Sequence, residues 1–422
     1  MSTQKRAELG WVLFDWANSA YSLVISTAIF PVYFLEFSNK TFRFWDLEIS
    51  NASVYAYSVS LAYILVSLIS PLLSGIADYG GHRKLFMRIF TTAGSIACMT
   101  LVGFIGPAQQ TWALMAFMVA TFSHAASLVF YDSYLSQIVS VDRADKLSAR
   151  GYAFGYTGSV ILMCSNILMI QNPAWFGLSD GAAATRIAFF SVGIWWILFS
   201  QFTFLWLPKD PQQKTNEQWI QRGFNELRKA WSYVKQQPAV KTFLLSFFFY
   251  SAGVQTVVYL ASSFAKEELH FATGELIVVI LLLQLVAIAG AYFFAFLSKK
   301  THNLYAMKIM IAVWTGICLL AYFVESQLEF YFLASLVGLV LGGIQSISRS
   351  SYSKMIPENH PDITCFFSFY DVIYYVSIVF GTFLFGFINQ LTHSMRLSVL
   401  ALMAFFLISL IFIRKVPQSS MR

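Results

Sequence analysis

Polar side chains recur along one face of the first long apolar segment, and they are the first candidates for solute chemistry. They are Asp15, Asn18, Ser19, Ser22 and Ser26. Their positions, i, i+3, i+4, i+7 and i+11, place them on one side of an α-helix. Because a carboxylate inside an apolar span is energetically costly, it usually faces water or a partner. The spacing therefore predicts a polar stripe that lines a path for a solute.

Uncharged hydrogen-bonding groups occur near the middle of four other apolar segments. They are His124, Ser127, Gln255, Tyr259, Gln284 and Gln345. With the aromatic residues around them, such groups suit a small polar or zwitterionic solute. We expect them to bind it together with the stripe. His124 could also carry a proton, although a single histidine in a membrane span commonly bonds a neighbouring helix.

Three charged residues lie toward the ends of apolar segments. Asp132 and Arg349 occupy similar places in the two halves of the sequence, and Asp371 lies in the segment after Arg349. The hypothesis is that Asp132 and Arg349 form an ion pair that acts as a gate, with Asp15 or Asp371 as a competing partner for the arginine. The alternative is an arginine held only by loop carbonyls or by lipid phosphate.

The composition identifies the environment of these groups. Of the 422 residues, 57% are hydrophobic and 12% are charged, whereas soluble domains carry about 25% charged residues. Apolar blocks recur from end to end and reach the ~20 residues needed to cross a bilayer. The chain is therefore expected to be an all-α integral membrane protein whose partners are the lipid bilayer and a solute.

Twelve spans are predicted from apolar runs bounded by charges, prolines or glycines. They cover residues 9–36, 52–77, 85–106, 111–136, 151–170, 186–207, 239–265, 273–297, 304–324, 329–352, 363–389 and 395–413. A weak internal repeat places Ser133-Tyr134 over Ser351-Tyr352. Two six-span halves related in this way are typical of transporters.

The expected organisation is an N-terminal half at 1–207, a linker at 208–238 and a C-terminal half at 239–422. Apolar residues at helical spacing in the linker predict an amphipathic helix at the membrane surface; they are Trp219, Phe224, Leu227, Trp231 and Val234. With both termini cytoplasmic, 23 of the 28 basic residues fall inside, as the positive-inside rule requires. This distribution explains the net charge of +7 without nucleic acid.

Enzyme chemistry is not expected. The six histidines and four cysteines are scattered over separate loops and spans, without the spacing of a metal site or a nucleophile. We therefore expect no metal and no cofactor, while coupling to a proton or another ion stays open. A non-transporting receptor or scaffold is the alternative class, and loss of the central polar residues would mark it.

The segment GIADYGGHRK, residues 75–84, resembles the loop motif of the major facilitator superfamily. Its glycines, Asp78 and the basic pair that begins with Arg83 lie at the expected positions between spans 2 and 3. Physically, the glycines permit a tight turn, and the aspartate can cap a helix or pair with an arginine at a gate. We count Asp78 and Arg83 among the gating residues.

Three further strings resemble the vacuole-effluxer-like branch of that superfamily, the autophagy-related amino-acid effluxers. They are FDWANSAYS from Phe14 to Ser22, the Arg150 to Tyr156 segment, and Ser348 to Ser350 followed by Phe366 to Tyr370. The resemblance implies a monomeric twelve-helix transporter that works by alternating access, with amino-acid efflux as the suggested activity. The compact loops favour a bacterial inner membrane over a vacuole.

Two departures from the family pattern bear on coupling. The superfamily's arginine in span 4, often tied to proton coupling, has no counterpart in SHAASLVFYDSY, and Tyr374-Tyr375 stands where a Glu-Lys pair is expected in some relatives. Proton coupling therefore remains open. The solute does too, since sugars, peptides, siderophores and drugs are alternatives to amino acids.

Overall fold

The computed structural model describes residues 2–44, 47–210, 219–357, 360 and 362–421. Within these residues, twelve helical segments are long and apolar enough to cross a membrane, which confirms the predicted spans. We number them 1 to 12. They are Thr3–Phe37, Asn51–Gly80, Arg83–Gly103, Pro107–Ile138, Val141–Gln171, Gly181–Trp206, Pro238–Glu268, Gly274–Lys300, Asn303–Phe323, Gln327–Met355, Ile363–Thr392 and Met395–Arg414.

The chain packs as two compact units whose boundaries cut across three spans. Unit 1 comprises Met1–Ser70, His82–Tyr131 and Phe154–Pro211, and unit 2 comprises Pro71–Gly81, Asp132–Ala153 and Gln212–Arg422. Unit 2 therefore contains spans 7 to 12 together with one end each of spans 2, 4 and 5. Those three ends carry Asp78, Asp132 and the first turns of span 5.

Span 1 changes its helix type along its length. An α-helix at Thr3–Ala20 continues as a π-helix at Tyr21–Ile29 and returns to an α-helix at Phe30–Phe37. A π-helix has wider turns than an α-helix and is frequently found at functional sites. The α-helical period of the predicted stripe consequently stops applying after Ala20, and that spacing no longer places Ser22 and Ser26 on the face of Asp15.

The motif between spans 2 and 3 is mostly helical, which corrects its predicted placement in a loop. The helix Asn51–Gly80 includes Gly75 and Asp78, and the next helix begins at Arg83. Gly81 has a φ of 64°, a left-handed conformation that ends helices and that glycine adopts without strain. Only Gly81 and His82 link the two spans.

Two elements lie outside the spans. An antiparallel hairpin, β1 at Thr41–Phe44 and β2 at Leu47–Ser50, follows span 1 and was not predicted. A helix at Trp219–Gln236 lies within the predicted linker. Its Val234 is buried, and Trp231 packs against Phe369 of span 11 with ring centroids 5.3 Å apart.

Spans 8 and 10 approach each other until their backbones touch. An ideal Cβ added at Gly338 would lie 2.5 Å from the carbonyl oxygen of Leu283, and one added at Gly342 would overlap the carbonyl oxygen of Ala287. Gly290 meets Leu339 in the same way. The Gly338–Gly342 spacing is the small-residue pattern that lets membrane helices pack closely.

Replacing Gly342 with alanine should destabilise the protein, because the new methyl group must displace a backbone carbonyl. We expect Gly342→Ala to lower the free energy of unfolding by about 1–3 kcal/mol, measured as a lower melting temperature in detergent. The matched control is Gly316→Ala on span 9, where an added Cβ meets no described atom within 4 Å. Equal melting temperatures for the two variants would contradict the close packing.

Candidate functional site

Asp15 is buried and held by a tyrosine of span 4. The hydroxyl of Tyr131 donates a hydrogen bond of 2.7 Å to Oδ2 of Asp15. The Trp11 ring stacks on Tyr131 at 4.6 Å and its Nε1 donates to the Tyr131 carbonyl at 3.1 Å. A neutral hydroxyl and an aromatic wall thus fix the position of this carboxylate inside unit 1.

The remaining residues of the predicted stripe have different surroundings. Asn18 is buried, and its Nδ2 has no hydrogen-bond partner among the described residues. Ser22 is exposed, and its carbonyl accepts a 2.8 Å bond from Thr27. The carbonyl of Ser26 accepts a 3.1 Å bond from Tyr55. Among the described residues, Asn18 is therefore the stripe residue whose side chain keeps an unused hydrogen-bond donor.

His124 lies in an aromatic cluster that sequence reasoning missed. Its ring is 5.0 Å from that of Tyr21 and 5.9 Å from that of Trp196. The hydroxyls of Tyr21 and Thr121 are 2.6 Å apart, and Ser127 donates 2.8 Å to the carbonyl of His124. Tyr21 belongs to the FDWANSAYS string, so a signal existed, whereas nothing in the sequence singled out Trp196.

Unit 2 holds the second set of predicted polar residues. Gln255 is buried and its Nε2 donates to the Tyr374 hydroxyl at 2.6 Å. Oε1 of Gln284 is buried without a partner in the described part of the chain. Tyr259 and Gln345 are half-buried. The structure therefore joins Gln255 to the first of the two adjacent tyrosines, Tyr374 and Tyr375.

Arg349 forms the predicted ion pair with Asp132. Its Nη1 lies 3.1 Å from Oδ1 of Asp132, and the arginine side chain is 2% exposed. Nε donates to Oγ of Ser148 and Nη2 to the Ser148 carbonyl, both at 3.1 Å. The guanidinium also lies 4.2 Å from the centre of the Tyr152 ring. Side chains at the ends of spans 4 and 5 thus enclose the arginine.

A second carboxylate lies beside this ion pair. Asp371 of span 11 is buried, and its Oδ2 has no hydrogen-bond partner among the described residues. It interacts electrostatically with both Asp132 and Arg349. Of the two predicted competitors for Arg349, Asp371 is thus placed in the same electrostatic cluster, while Asp15 bonds Tyr131 in unit 1.

Asp78 and Arg83, predicted together as gating residues, have different partners. Oδ2 of Asp78 accepts the backbone N–H of Cys365 at 2.9 Å, in the first turn of span 11. A carboxylate at this position stabilises the positive end of the helix dipole. Arg83 instead lies 3.5 Å from Asp210. Its neighbour Lys84 donates 2.6 Å to the carbonyl of Leu207 at the end of span 6.

A second buried ion pair was missed by sequence reasoning. Nζ of Lys354 lies 2.7 Å from Oδ2 of Asp145. Nδ2 of Asn303 donates 2.8 Å to Oδ1 of Asp145 and 2.9 Å to Ser351, and Ser298 adds a 3.3 Å bond to the carboxylate. Asp145 at the start of span 5 is thereby bound to spans 8, 9 and 10. Its sequence neighbours gave no sign of this, because its three partners, Lys354, Asn303 and Ser298, are distant along the chain.

Removing the positive charge of this second pair should leave a buried carboxylate uncompensated. We expect Lys354→Met to lower the free energy of unfolding by about 3 kcal/mol or more, and the double variant with Asp145→Asn to recover part of the loss. The melting temperatures of the four proteins of this cycle give the result.

The more exposed pair of Arg396 and Glu268, 3.0 Å apart with each side chain about a quarter exposed, is the matched control. Breaking it with Arg396→Gln should change stability by only about 0–1 kcal/mol. A Lys354→Met protein as stable as the control variant would show that the Asp145 cluster contributes nothing.

The family model described as "Vacuole effluxer Atg22 like" matches residues 3–144 and 136–422. The chain is 28% identical to the MFS-type transporter YxiO of Bacillus subtilis over 98% of this chain and 96% of the relative. It is 25% identical to autophagy-related protein 22 of Kluyveromyces lactis, over 87% of this chain and 79% of that protein.

Solved structures of transporters show the same fold. The fucose:proton symporter FucP of E. coli superposes with a TM-score of 0.70 at 13% identity, covering 98% of each chain. The human organic anion transporter MFSD10 gives 0.72 at 11% identity, with 98% of this chain and 100% of that chain covered. Family and fold are those of transporters and not of enzymes. The chain therefore belongs to the vacuole effluxer Atg22-like family of the major facilitator superfamily and is a multi-pass secondary transporter.

Proposed function

We propose that the protein exports a small polar or zwitterionic solute by alternating access, with amino acids as the first candidates. We further propose that it does so in a bacterial inner membrane with both termini in the cytoplasm. The family description as a vacuole effluxer supports export. The placement of 23 of the 28 basic residues on one side supports the orientation.

The presence of buried, uncharged groups with unused hydrogen-bonding capacity is the observation that carries the proposal. Among the described residues, one such group in unit 1 is the Nδ2 donor of Asn18, and one in unit 2 is the Oε1 acceptor of Gln284. Leaving such groups without partners costs about 1–3 kcal/mol each. The Asn18 donor suits a solute carboxylate, and the Gln284 acceptor suits a solute ammonium group; an amino acid carries both of these groups.

Aromatic side chains next to two other predicted site residues, His124 and Gln255, bear on the size and polarity of the solute. The His124 ring is packed between Tyr21 and Trp196, and Gln255 is bonded to Tyr374. An amphipathic wall of this kind favours a compact solute with one apolar face. We therefore rank amino acids with apolar side chains ahead of sugars, peptides, siderophores and drugs.

We also propose that the Asp132–Arg349 pair is the inner gate in its closed form. The pair is buried, and it joins span 4 to span 10 within unit 2. Asp78 ties span 2 to span 11, and Asp145 ties span 5 to spans 8, 9 and 10. Opening the gate requires that these contacts between the first and second halves of the sequence separate.

Binding of the solute should raise the melting temperature of the detergent-purified protein, since a ligand bound only by the folded state stabilises it by RT ln(1 + [L]/Kd). Amino acids, short peptides, sugars and siderophores are the panel. We expect a shift confined to amino acids, reduced by Asp15→Asn and abolished by Gln255→Ala.

The control variant is Gln110→Ala, a change at the outer start of the helical part of span 4 that leaves these polar clusters intact. Its shift should match that of the wild type. A shift produced only by sugars or siderophores would refute the amino-acid proposal while leaving the transporter assignment intact.

Exchange of the gate charges should show whether the Asp132–Arg349 pair is required for transport. Asp132→Arg and Arg349→Asp alone each leave buried like charges, and we expect the export rate to fall about tenfold or more, the equivalent of ~1.4 kcal/mol. The double variant should recover part of the rate, because it restores opposite charges at the two positions that form the wild-type pair.

Export is measured as loss of labelled amino acid from preloaded proteoliposomes. The same exchange at the pair that is about a quarter exposed, Glu268→Arg with Arg396→Glu, serves as the control and should leave the rate nearly unchanged. If the double gate variant is as inactive as either single variant, the ion pair is not the gate.

A further inference from the structure

Asp371 is a buried carboxyl group whose surroundings do not stabilise its ionised form. The residue is 4% exposed, and its Oδ2 has no hydrogen-bond partner in the described part of the chain. A buried carboxylate oxygen that receives no hydrogen bond makes the ionised form costly, and groups in this situation take up a proton instead. The geometry therefore suits the neutral acid in the state that the structure shows.

The charges around Asp371 do not balance if it is ionised. In the described part of the chain it interacts with one cation, Arg349, and with one other carboxylate, Asp132. Arg349 is already 3.1 Å from Asp132, and its Nε and Nη2 donate to Ser148. One guanidinium thus serves two carboxylates and can neutralise only one of them.

The other titratable groups near Asp371 are tyrosines, which supply no positive charge. Those that interact with it electrostatically lie on spans 10 and 11, and they are Tyr352, Tyr370 and Tyr375. Tyr250 of span 7 and Tyr152 of span 5 lie next in the same cluster. The nearest ammonium group on span 10, Lys354, is bound to Asp145.

We propose that Asp371 is the proton-binding site of the transport cycle and exchanges its proton for Arg349. With the gate closed, Arg349 pairs with Asp132, and the carboxyl of Asp371 carries one proton. With the gate open, Arg349 pairs with the Asp371 carboxylate, the O–H bond of Asp371 is broken, and the proton passes to water. Asp132, now ionised and unpaired, is hydrated at the open end of span 4.

The exchange follows from the chemistry of arginine. A guanidinium cannot lose its proton in a protein, so Arg349 needs another anion whenever it leaves Asp132. Asp371 on the adjoining span is the carboxylate that the electrostatics place beside it. One proton is released on the side to which the gate opens. The proposal rests on the inner gate proposed above. Together, the gate and the proton site make the protein an antiporter, in which the solute leaves the cell as a proton enters.

Infrared spectroscopy of the purified full-length protein tests the protonated state without any solute. We expect the wild type at neutral pH to show the carbonyl band of a buried carboxylic acid, absent from Asp371→Asn and kept in the surface control Asp180→Asn. Asparagine has the shape of the neutral acid, so the variant should fold. Absence of the band from the wild type at neutral pH would overturn the proposal whatever the variants do.

Variants of the two neighbouring charges test the exchange itself. Asp132→Asn frees Arg349 to pair with Asp371, and the pH at which the band disappears should fall by about one unit or more. Arg349→Gln removes the cation, and that pH should rise. If the band titrates identically in both variants and the wild type, Asp371 does not share Arg349 with Asp132, and the proposal fails.

The link to the gate is tested by the distance between spin labels at Ser140 and Thr301, both exposed in unit 2, in a background without the native cysteines. Raising the pH should lengthen this distance in the wild-type background and leave it unchanged with Asp371→Asn. If the distance responds to pH in the same way in the wild-type background and in Asp371→Asn, Asp371 does not control the gate and the proposal is refuted. A different solute class would leave both experiments unaffected, because neither uses a solute.

Discussion

The guanidinium of Arg349, which cannot lose its proton, is buried in unit 2. The surrounding structure depends on keeping this cation paired with a carboxylate. A charge removed from water costs several kcal/mol unless opposite charge and hydrogen bonds replace the water. Arg349 obtains these from Asp132, Ser148 and the face of Tyr152. All three residues come from spans 4 and 5. The ends of these first-half spans must therefore pack with the second half, which explains why unit 2 is not continuous in the chain.

Two further contacts in unit 2 hold first-half spans to second-half spans by different kinds of interaction. Asp78 accepts a backbone N–H at the start of span 11, where the helix dipole favours negative charge over a short range. Asp145 is bound by Lys354, Asn303 and Ser298 together. A carboxylate satisfied by three donors loses all of them if the spans separate, so these contacts make the closed arrangement cooperative.

The twelve spans and the linker helix could be predicted because bilayer thickness and helical periodicity act locally along the sequence. The Asp132–Arg349 pair could be inferred because few charges occur inside the apolar segments. The π-helix at Tyr21–Ile29 and the partners of Asp145 could not. The π-helix depends on how span 1 packs against its neighbours. The contacts of Asp145 join residues more than 150 positions apart.

The π-helix illustrates how tertiary packing overrides a sequence period. The spacing of Asp15, Asn18, Ser22 and Ser26 is consistent with one helical face, and the structure keeps the α-helix that this requires only as far as Ala20. Beyond it the wider turn brings Tyr21 against Thr121, His124 and Trp196. The aromatic cluster that results was hidden from sequence reasoning, since its members belong to three different spans.

The two buried ion pairs of unit 2 differ in whether their negative charge is fully satisfied. Around Asp145, one carboxylate meets one ammonium and two further donors. The charges of Asp145 and Lys354 therefore balance without any rearrangement. Around Arg349, two carboxylates meet one cation, and one oxygen of Asp371 has no hydrogen-bond partner among the described residues. A buried network that is only partly satisfied has an alternative arrangement close in energy. In unit 2, the cluster of Arg349, Asp132 and Asp371 can consequently change its pairing. The cluster of Lys354 and Asp145 opposes separation of the spans until that change has occurred.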